Sequence, residues 1–233
     1  MQHVNYDIIR SARRKTLALQ VKQGEITVRA PIELCERYIE KFVQTKSAWL
    51  EAKVNEQKLA KSQHRISFES GSVVPFLGEN KVLTIVGSST SNVSIENESL
   101  IISLRVCDKQ KPRGNNQQEQ AQFVYEQWLK NQASIYIGSR LSAQAALMSL
   151  KYKSVVFKRY KARWGSCNNR AELSFNYLLM MCPKRVVDYV IIHELSHLIF
   201  LNHSKEFWQL VKQYCPNYKE AQYWLKSHSL YIR

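Results

Sequence analysis

The feature that most constrains this 233-residue chain is an apolar run that ends in an ordered polar cluster. Val186, Val187, Tyr189, Val190, Ile191 and Ile192 lead straight into His193-Glu194-Leu195-Ser196-His197. Such a run reads as a helix through a core, from Pro183 to Leu201. Residues on a helix turn by about 100° each, so positions four apart lie about 40° apart and about 6 Å along the axis. The two imidazoles therefore leave one face and can grip a single metal ion, with Glu194 beside the metal rather than on it. A carboxylate there can take a proton from a water on the metal, which is the reading of His-Glu-x-x-His as a zinc hydrolase centre. The alternative is a pair of half-buried, inert histidines. The apolar flanks argue against it, because burying this cluster without a metal carries a large desolvation cost.

A third ligand must come from beyond the helix. In an unbroken helix His203 would lie about 240° round from His197 and face away. It returns only if the chain turns first, and Asn202 is the residue suited to a left-handed turn. Asp188, Glu206, Glu220 and His228 are further candidates. Glu206 is the main rival, one turn past His203 if a new helix starts at Ser204. The His197-to-His203 spacing matches the metzincins, but Phe200 stands where they have a turn glycine and no methionine follows Met181.

Composition narrows the setting. Hydrophobic residues make up 45% of the chain, enough for a full core. Arg10, Arg13, Arg14 and Lys15 break the N-terminus early, and no run approaches a membrane helix. Five scattered cysteines without a C-x-x-C pair fit reduced thiols, so a cytoplasmic enzyme with no membrane partner is expected. The net charge is +15, and no acidic residue lies between Glu126 and Glu172. That gap holds Lys130, Arg140, Lys151, Lys153, Lys158, Arg159, Lys161, Arg163 and Arg170. Such a field favours polyanions, with Lys158 and Lys161 as contacts; a merely solubilising face is the alternative.

The segment 107–118 reads as a polar linker between an N-terminal mixed α/β region, 1–106, and a zincin-like catalytic core, 119–233. In the first, Asp7–Gln20 and Gly24–Ala30 form a hairpin around Gly24, and Pro31 opens one long helix to Leu59. Strands follow near Val73–Phe76, Lys81–Val86, Val93–Ile95 and Leu100–Val106. The second region has a helix Gln118–Leu150 with a possible break at Gly138, a basic strand from Tyr152 to Tyr160, a strand Leu173–Met180, the metal helix, and terminal helices Ser204–Tyr214 and Tyr218–Ser227. The fold class is α+β, with a C-terminal helical core and a small sheet around the His-Glu-x-x-His helix.

Arg163-Trp164-Gly165-Ser166-Cys167, Leu173-Ser174-Phe175-Asn176, Pro183 to His197, Asn202-His203-Ser204 and Phe207-Trp208 together resemble the YgjP-like family of bacterial zinc metallopeptidases. Ser11-Ala12-Arg13-Arg14-Lys15-Thr16 and Phe76-Leu77-Gly78 fit its N-terminal half. The resemblance implies one zinc per chain held by His193, His197 and His203, with Glu194 as catalytic acid/base, in a core similar to SprT-type DNA-repair proteases. Arg170-Ala171 departs from it, where the turn calls for glycine. Some members carry a UTP pyrophosphatase label.

Within these motifs Gly165 permits a close backbone approach and Trp164 can pack beneath the metal helix. Arg163 can aim its fork of donors at a developing oxyanion or phosphate. Cys167 reads as packing, ahead of a redox or inhibitory role. By resemblance to zinc peptidases generally, Phe175 and Asn176 are expected on an edge strand where a peptide substrate pairs. The reading is a zinc-dependent hydrolase, first of peptide bonds in a peptide or protein. The alternatives are a nucleotide phosphoanhydride hydrolase and a nucleic-acid-binding protein with a structural metal.

Overall fold

The computed structural model describes residues 5–22, 24–64, 66–105 and 115–232. They form two compact units, Met1–Arg65 and Ile66–Arg233. The first holds β1 (Asp7–Ser11), β2 (Ala18–Lys22), β3 (Glu25–Pro31), α1 (Glu36–Thr45) and α2 (Ser47–His64). Gly24, at φ 83°, turns β2 back on β3, and β1 pairs with β3 in parallel from the other side. The expected strand Asp7–Gln20 is thus two strands. Ser11 splits it, accepting from Arg13 N on Oγ and from Arg14 N on its carbonyl, each at 3.3 Å. The expected long helix is also two. Thr45 Oγ1 donates to Phe42 O at 2.8 Å, a local competitor to helical bonding, and Lys46 leaves the helix at φ −113°. Ile26, Val28, Ala30, Ile39, Val43 and Leu50 make the core of this unit.

The second unit begins with β4 (Val73–Phe76), β5 (Glu79–Ser88), β6 (Asn92–Glu96) and β7 (Ser99–Arg105), in the order β4-β5-β7-β6. Then come α3 (Asn115–Leu147), β8 (Ser154–Lys158), β9 (Gly165–Cys167) and β10 (Glu172–Asn176), the strands ordered β8-β10-β9. A 3-10 helix (Tyr177–Met181), α4 (Lys184–Ser196), α5 (Lys205–Tyr214) and α6 (Tyr218–Ile232) complete an α+β fold. The sequence reading grouped β4–β7 with the N-terminus. Instead Val74, Leu83, Leu100, Ile102 and Leu104 share one core with α3 and α4, so the units divide at 65/66. Of the expected linker 107–118, residues up to 114 lie outside the described residues, as does Val106; from Asn115 the chain is already helical. The expected strand Leu173–Met180 stops at Asn176, whose side chain caps the 3-10 helix by accepting from Leu178 N.

The core of this unit is organised by α3, which runs unbroken through Gly138. Its buried residues are Ala121, Tyr125, Leu129, Ala133, Ile137, Leu141 and Ala145, each four after the last. A four-residue step advances about 40° round the helix, so over six steps the apolar stripe winds through about 240°. One helix thereby meets several partners in turn. Tyr125 Oη donates to Pro75 O at 3.0 Å, Arg140 makes a bidentate pair with Asp188 of α4 at 2.8 Å, and Ser142 reaches Tyr152 Oη at 3.3 Å.

The start of α4 is fixed from the other sheet. Leu77 and Gly78, at φ 50° and 86°, form the two-residue turn between β4 and β5. Two positive φ values in succession are what a type I′ hairpin turn needs. Leu77 N donates to Met180 O at 2.6 Å, and a Cβ on Gly78 would lie 2.8 Å from Pro183 Cα, one residue before α4. Gly78→Ala is expected to destabilise the protein by about 2 kcal/mol or more, from the left-handed backbone plus the contact with Pro183. Urea denaturation with unchanged slope and a lower midpoint is the expected result; an unchanged midpoint would remove this turn as the brace of α4.

Candidate active site

Helix α4 buries Val186, Val187, Val190, Ile191, Ile192 and Leu195 and carries the polar cluster at its C-terminal end. It ends at Ser196, five residues before the expected Leu201. Ser196 Oγ donates to Ile192 O at 2.8 Å, a back-bond that loosens the last turn. Leu198 N then bonds Leu195 O at 3.0 Å and Ile199 N bonds Ser196 O at 3.2 Å, three-residue spacings that tighten the chain beyond the helix. Asn202 is not the left-handed pivot the sequence suggested. Among the described residues the non-glycine positive φ values fall at Leu77, Asn97, Ser149 and Ala171. The early exit does the same work and brings His203 back to the helix.

His193, His197 and His203 present ligand atoms that all lie within 4.8 Å of one another. His193 Nε2 and His203 Nε2 are 3.2 Å apart. Two nitrogens at about 2.05 Å from a tetrahedral zinc are separated by about 3.3 Å, so the donor set and spacing fit that ion. His197 Nδ1 bonds Phe200 O at 2.9 Å, which leaves Nε2 of the neutral ring free to ligate. Burial first, then His197 and His203, push His193 down to about 3, so its ring stays neutral. Tyr189 Oη lies 3.4 Å from His193 Nδ1. Ser204 caps α5, accepting from Phe207 N at 3.4 Å, and the buried Phe207 ring floors the three imidazoles at centroid distances of 5.0, 4.6 and 4.9 Å. Trp208 stacks on His203 and Tyr218 on Trp208. Phe207 and Trp208 had a place in the sequence motif but no assigned task; only the return of the chain over α4 reveals one.

The rival ligands are elsewhere or otherwise engaged. Asp188 is held by Arg140, His228 Nδ1 bonds Trp224 O at 2.9 Å, and Glu206 and Glu220 are exposed acids in the first turns of α5 and α6. Among the described residues no fourth His, Cys, Asp or Glu joins the three histidines.

Glu194 is only 5% exposed. Burial pushes its carboxyl up to about 8, opposed by the Arg163 guanidinium. Gly165 is what makes room for it. A Cβ there would stand 2.6 Å from Glu194 Oε1 and 2.7 Å from its Cγ. The close approach foreseen at Gly165 is therefore to the candidate catalytic carboxylate. Cys167, on the same strand, is pushed up to about 11 by burial and by Glu194, so its thiol stays protonated.

Three other expectations turn out differently or in more detail. Phe175 and Asn176 are not on an edge: β10 pairs with β8 in parallel and with β9 antiparallel, and both residues are fully buried. Asn176 instead holds the loop before β9, its Nδ2 donating to Tyr160 O at 3.2 Å and its backbone N to Trp164 O at 2.8 Å. Lys158 and Arg163 converge on the ring of Tyr160, at 5.1 and 5.3 Å, rather than on the histidines, while Lys161 is exposed. The missing glycine in the turn is a real strain, since Ala171 sits at φ 58°. Asn168 Oδ1 secures that turn, accepting from Arg170 N and Glu172 N at 3.0 Å each.

A family model described as "YgjP-like, metallopeptidase domain" matches residues 15–228. The chain belongs to the YgjP-like metallopeptidase family. No curated protein matches. A crystal structure of the metallopeptidase zymogen of Pyrococcus abyssi abylysin is similar at 18% identity and a TM-score of 0.36, covering 39% of this chain and 93% of its own. Membership of a metallopeptidase family implies a bound metal and a peptide or protein substrate. No helix among the described residues is long and apolar enough to cross a membrane.

His203→Ala is expected to lower zinc affinity at least tenfold and Glu206→Ala to leave it unchanged, by competition with a chromophoric chelator. The reverse pattern would replace His203 by Glu206 in the ligand set.

Proposed function

We propose that this YgjP-like chain is a zinc peptidase that binds one zinc through His193, His197 and His203 and uses Glu194 as its general acid/base. The observation that carries the reading is the convergence of His193, His197 and His203 beside Glu194, a buried carboxylate of α4 seated against a glycine that alone leaves it space. Zinc, when bound, polarises the scissile carbonyl and acidifies the attacking water. Glu194 takes the proton from that water and returns it to the leaving amine. Phe207 and Trp208 keep the imidazoles in register, and the Phe200 carbonyl fixes the tautomer of His197. Arg163, held over Tyr160, acts on the reacting centre through its field rather than by contact.

The peptide pairs with β9 in this reading, not with β10. Gly165–Cys167 ends the order β8-β10-β9, touches α4, and carries Gly165 against Glu194. A strand added there would run its backbone past the catalytic carboxylate. A structural metal is disfavoured because structural sites close with four protein ligands. Phosphoanhydride hydrolysis is disfavoured because Lys158 and Arg163 gather at Tyr160 and not at the histidines. We place the enzyme in a reducing cytoplasm, in keeping with the absence of a disulfide among the described cysteines.

Glu194→Gln is expected to keep fold and zinc and to lower cleavage of an unfolded protein substrate by about 10²-fold or more, since an amide cannot accept and return the proton. Full activity at verified zinc content would take Glu194 out of the mechanism. Gly165→Ala is expected to lower kcat at least tenfold with zinc still bound, because the added methyl displaces the carboxylate and not the histidines. An equal loss of zinc would show that the close contact serves the metal site instead.

A further inference from the structure

The chain places a second polar site on the sheet β8-β10-β9. Side chains on a strand alternate between faces. Val155, Phe157, Leu173 and Phe175 turn to the core, so Lys158, Ser174 and Glu172 turn the other way. On β9, Gly165 faces Glu194 and the next residue, Ser166, faces opposite. The result is a groove of about 390 Å³ lined by Lys158, Tyr160, Arg163, Ser166, Ser174 and Glu172, among others. It lies across the sheet from the candidate catalytic carboxylate.

Three hydroxyls meet in this groove. Tyr160 Oη is 3.1 Å from Ser166 Oγ and 2.5 Å from Ser174 Oγ, and the two serines are 2.8 Å apart. Burial raises the Tyr160 phenol, but the contacts with Ser166, Ser174 and Lys158 outweigh it and hold the group below its ordinary value. Each hydroxyl has one proton and can rotate it outward. The cations around them are sorted. Arg140 pairs with Asp188, Lys153 with Glu172 and Arg159 with Glu126, whereas Lys158 and Arg163 form no salt bridge with a carboxylate among the described residues. Those two unneutralised cations flank the ring that carries the hydroxyl cluster. Among the described residues the only acid lining the groove, Glu172, is already bound by Asn168 Nδ2 at 2.8 Å and by Lys153.

We propose that this groove binds a phosphate group, with Lys158 and Arg163 supplying charge and the Tyr160, Ser166 and Ser174 hydroxyls donating to its oxygens. Converging hydroxyl and cationic donors suit a tetrahedral oxyanion. The phosphate belongs to a small nucleotide or to a single-stranded nucleic acid, and is held rather than hydrolysed, because the metal ligands and Glu194 are on the other face. This proposal is independent of the peptidase reading and survives its failure.

The test uses the full zinc-loaded chain with inorganic phosphate, uridine monophosphate and a fluorescein-labelled oligothymidine, read by calorimetry and anisotropy across a salt series. Lys158→Ala is expected to weaken binding at least tenfold and Tyr160→Phe at least threefold. Lys161→Ala, outside the groove, should change it less than twofold. Lys158 and Lys161 are both exposed, so neither replacement threatens the fold. If the small phosphates bind and show these effects, the source is a nucleotide. If only the oligothymidine binds and shows them, with affinity falling steeply in salt, the source is a nucleic-acid strand. Absence of binding to all three probes, or equal weakening by Lys158→Ala and Lys161→Ala, overturns the proposal.

Discussion

A carboxylate and three imidazoles have to be lodged where an apolar helix leaves the core, and the catalytic unit is arranged around that demand. Helix α4 supplies six buried aliphatic side chains that anchor its axis, and it ends at Ser196, after which the chain brings His203 back to His193 and His197. On one side β9 comes so close that only a glycine fits against Glu194. Beneath the rings, the buried Phe207 of α5 packs against all three imidazoles. The site is therefore shared by a helix, a strand and a following helix, none of which positions it alone.

That division explains what was legible in the sequence. The helix, its two histidines and the glutamate follow from periodicity and chemical type, and so does the need for a turn before His203. Asn202 has the propensity for a left-handed turn, but the chain has already left the helix at Ser196, six residues earlier. The edge assignment of Phe175 and Asn176 failed for a different reason. A strand carries no mark of whether it has one neighbour or two, and the three-residue β9 is too short to leave a period. The first unit shows the same limit, where Thr45 broke a helix whose apolar stripe continues across the break.

Composition is a poor guide to domain organisation in this chain, whose units divide at 65/66. A polar, proline-bearing segment reads as a linker whether or not the elements on its two sides share a core. What decides is where the apolar faces of the flanking strands go, and Leu100, Ile102 and Leu104 go to the core that also holds α4. The charge gap was legible as a field, but not as a place. Three of its nine cations pair with Asp188, Glu172 and Glu126, and two of the other six, Lys158 and Arg163, meet on one aromatic ring.

The winding stripe of α3 bears on how such a chain can change in length. A single residue inserted in the middle of that helix would rotate everything beyond it by about 100°. The contacts with β4 would stay in phase while those with Asp188 and Tyr152 lost it. Insertions and deletions should therefore accumulate outside 121–145 in relatives of this chain, and a circular permutant opened within that span should not assemble the metal helix.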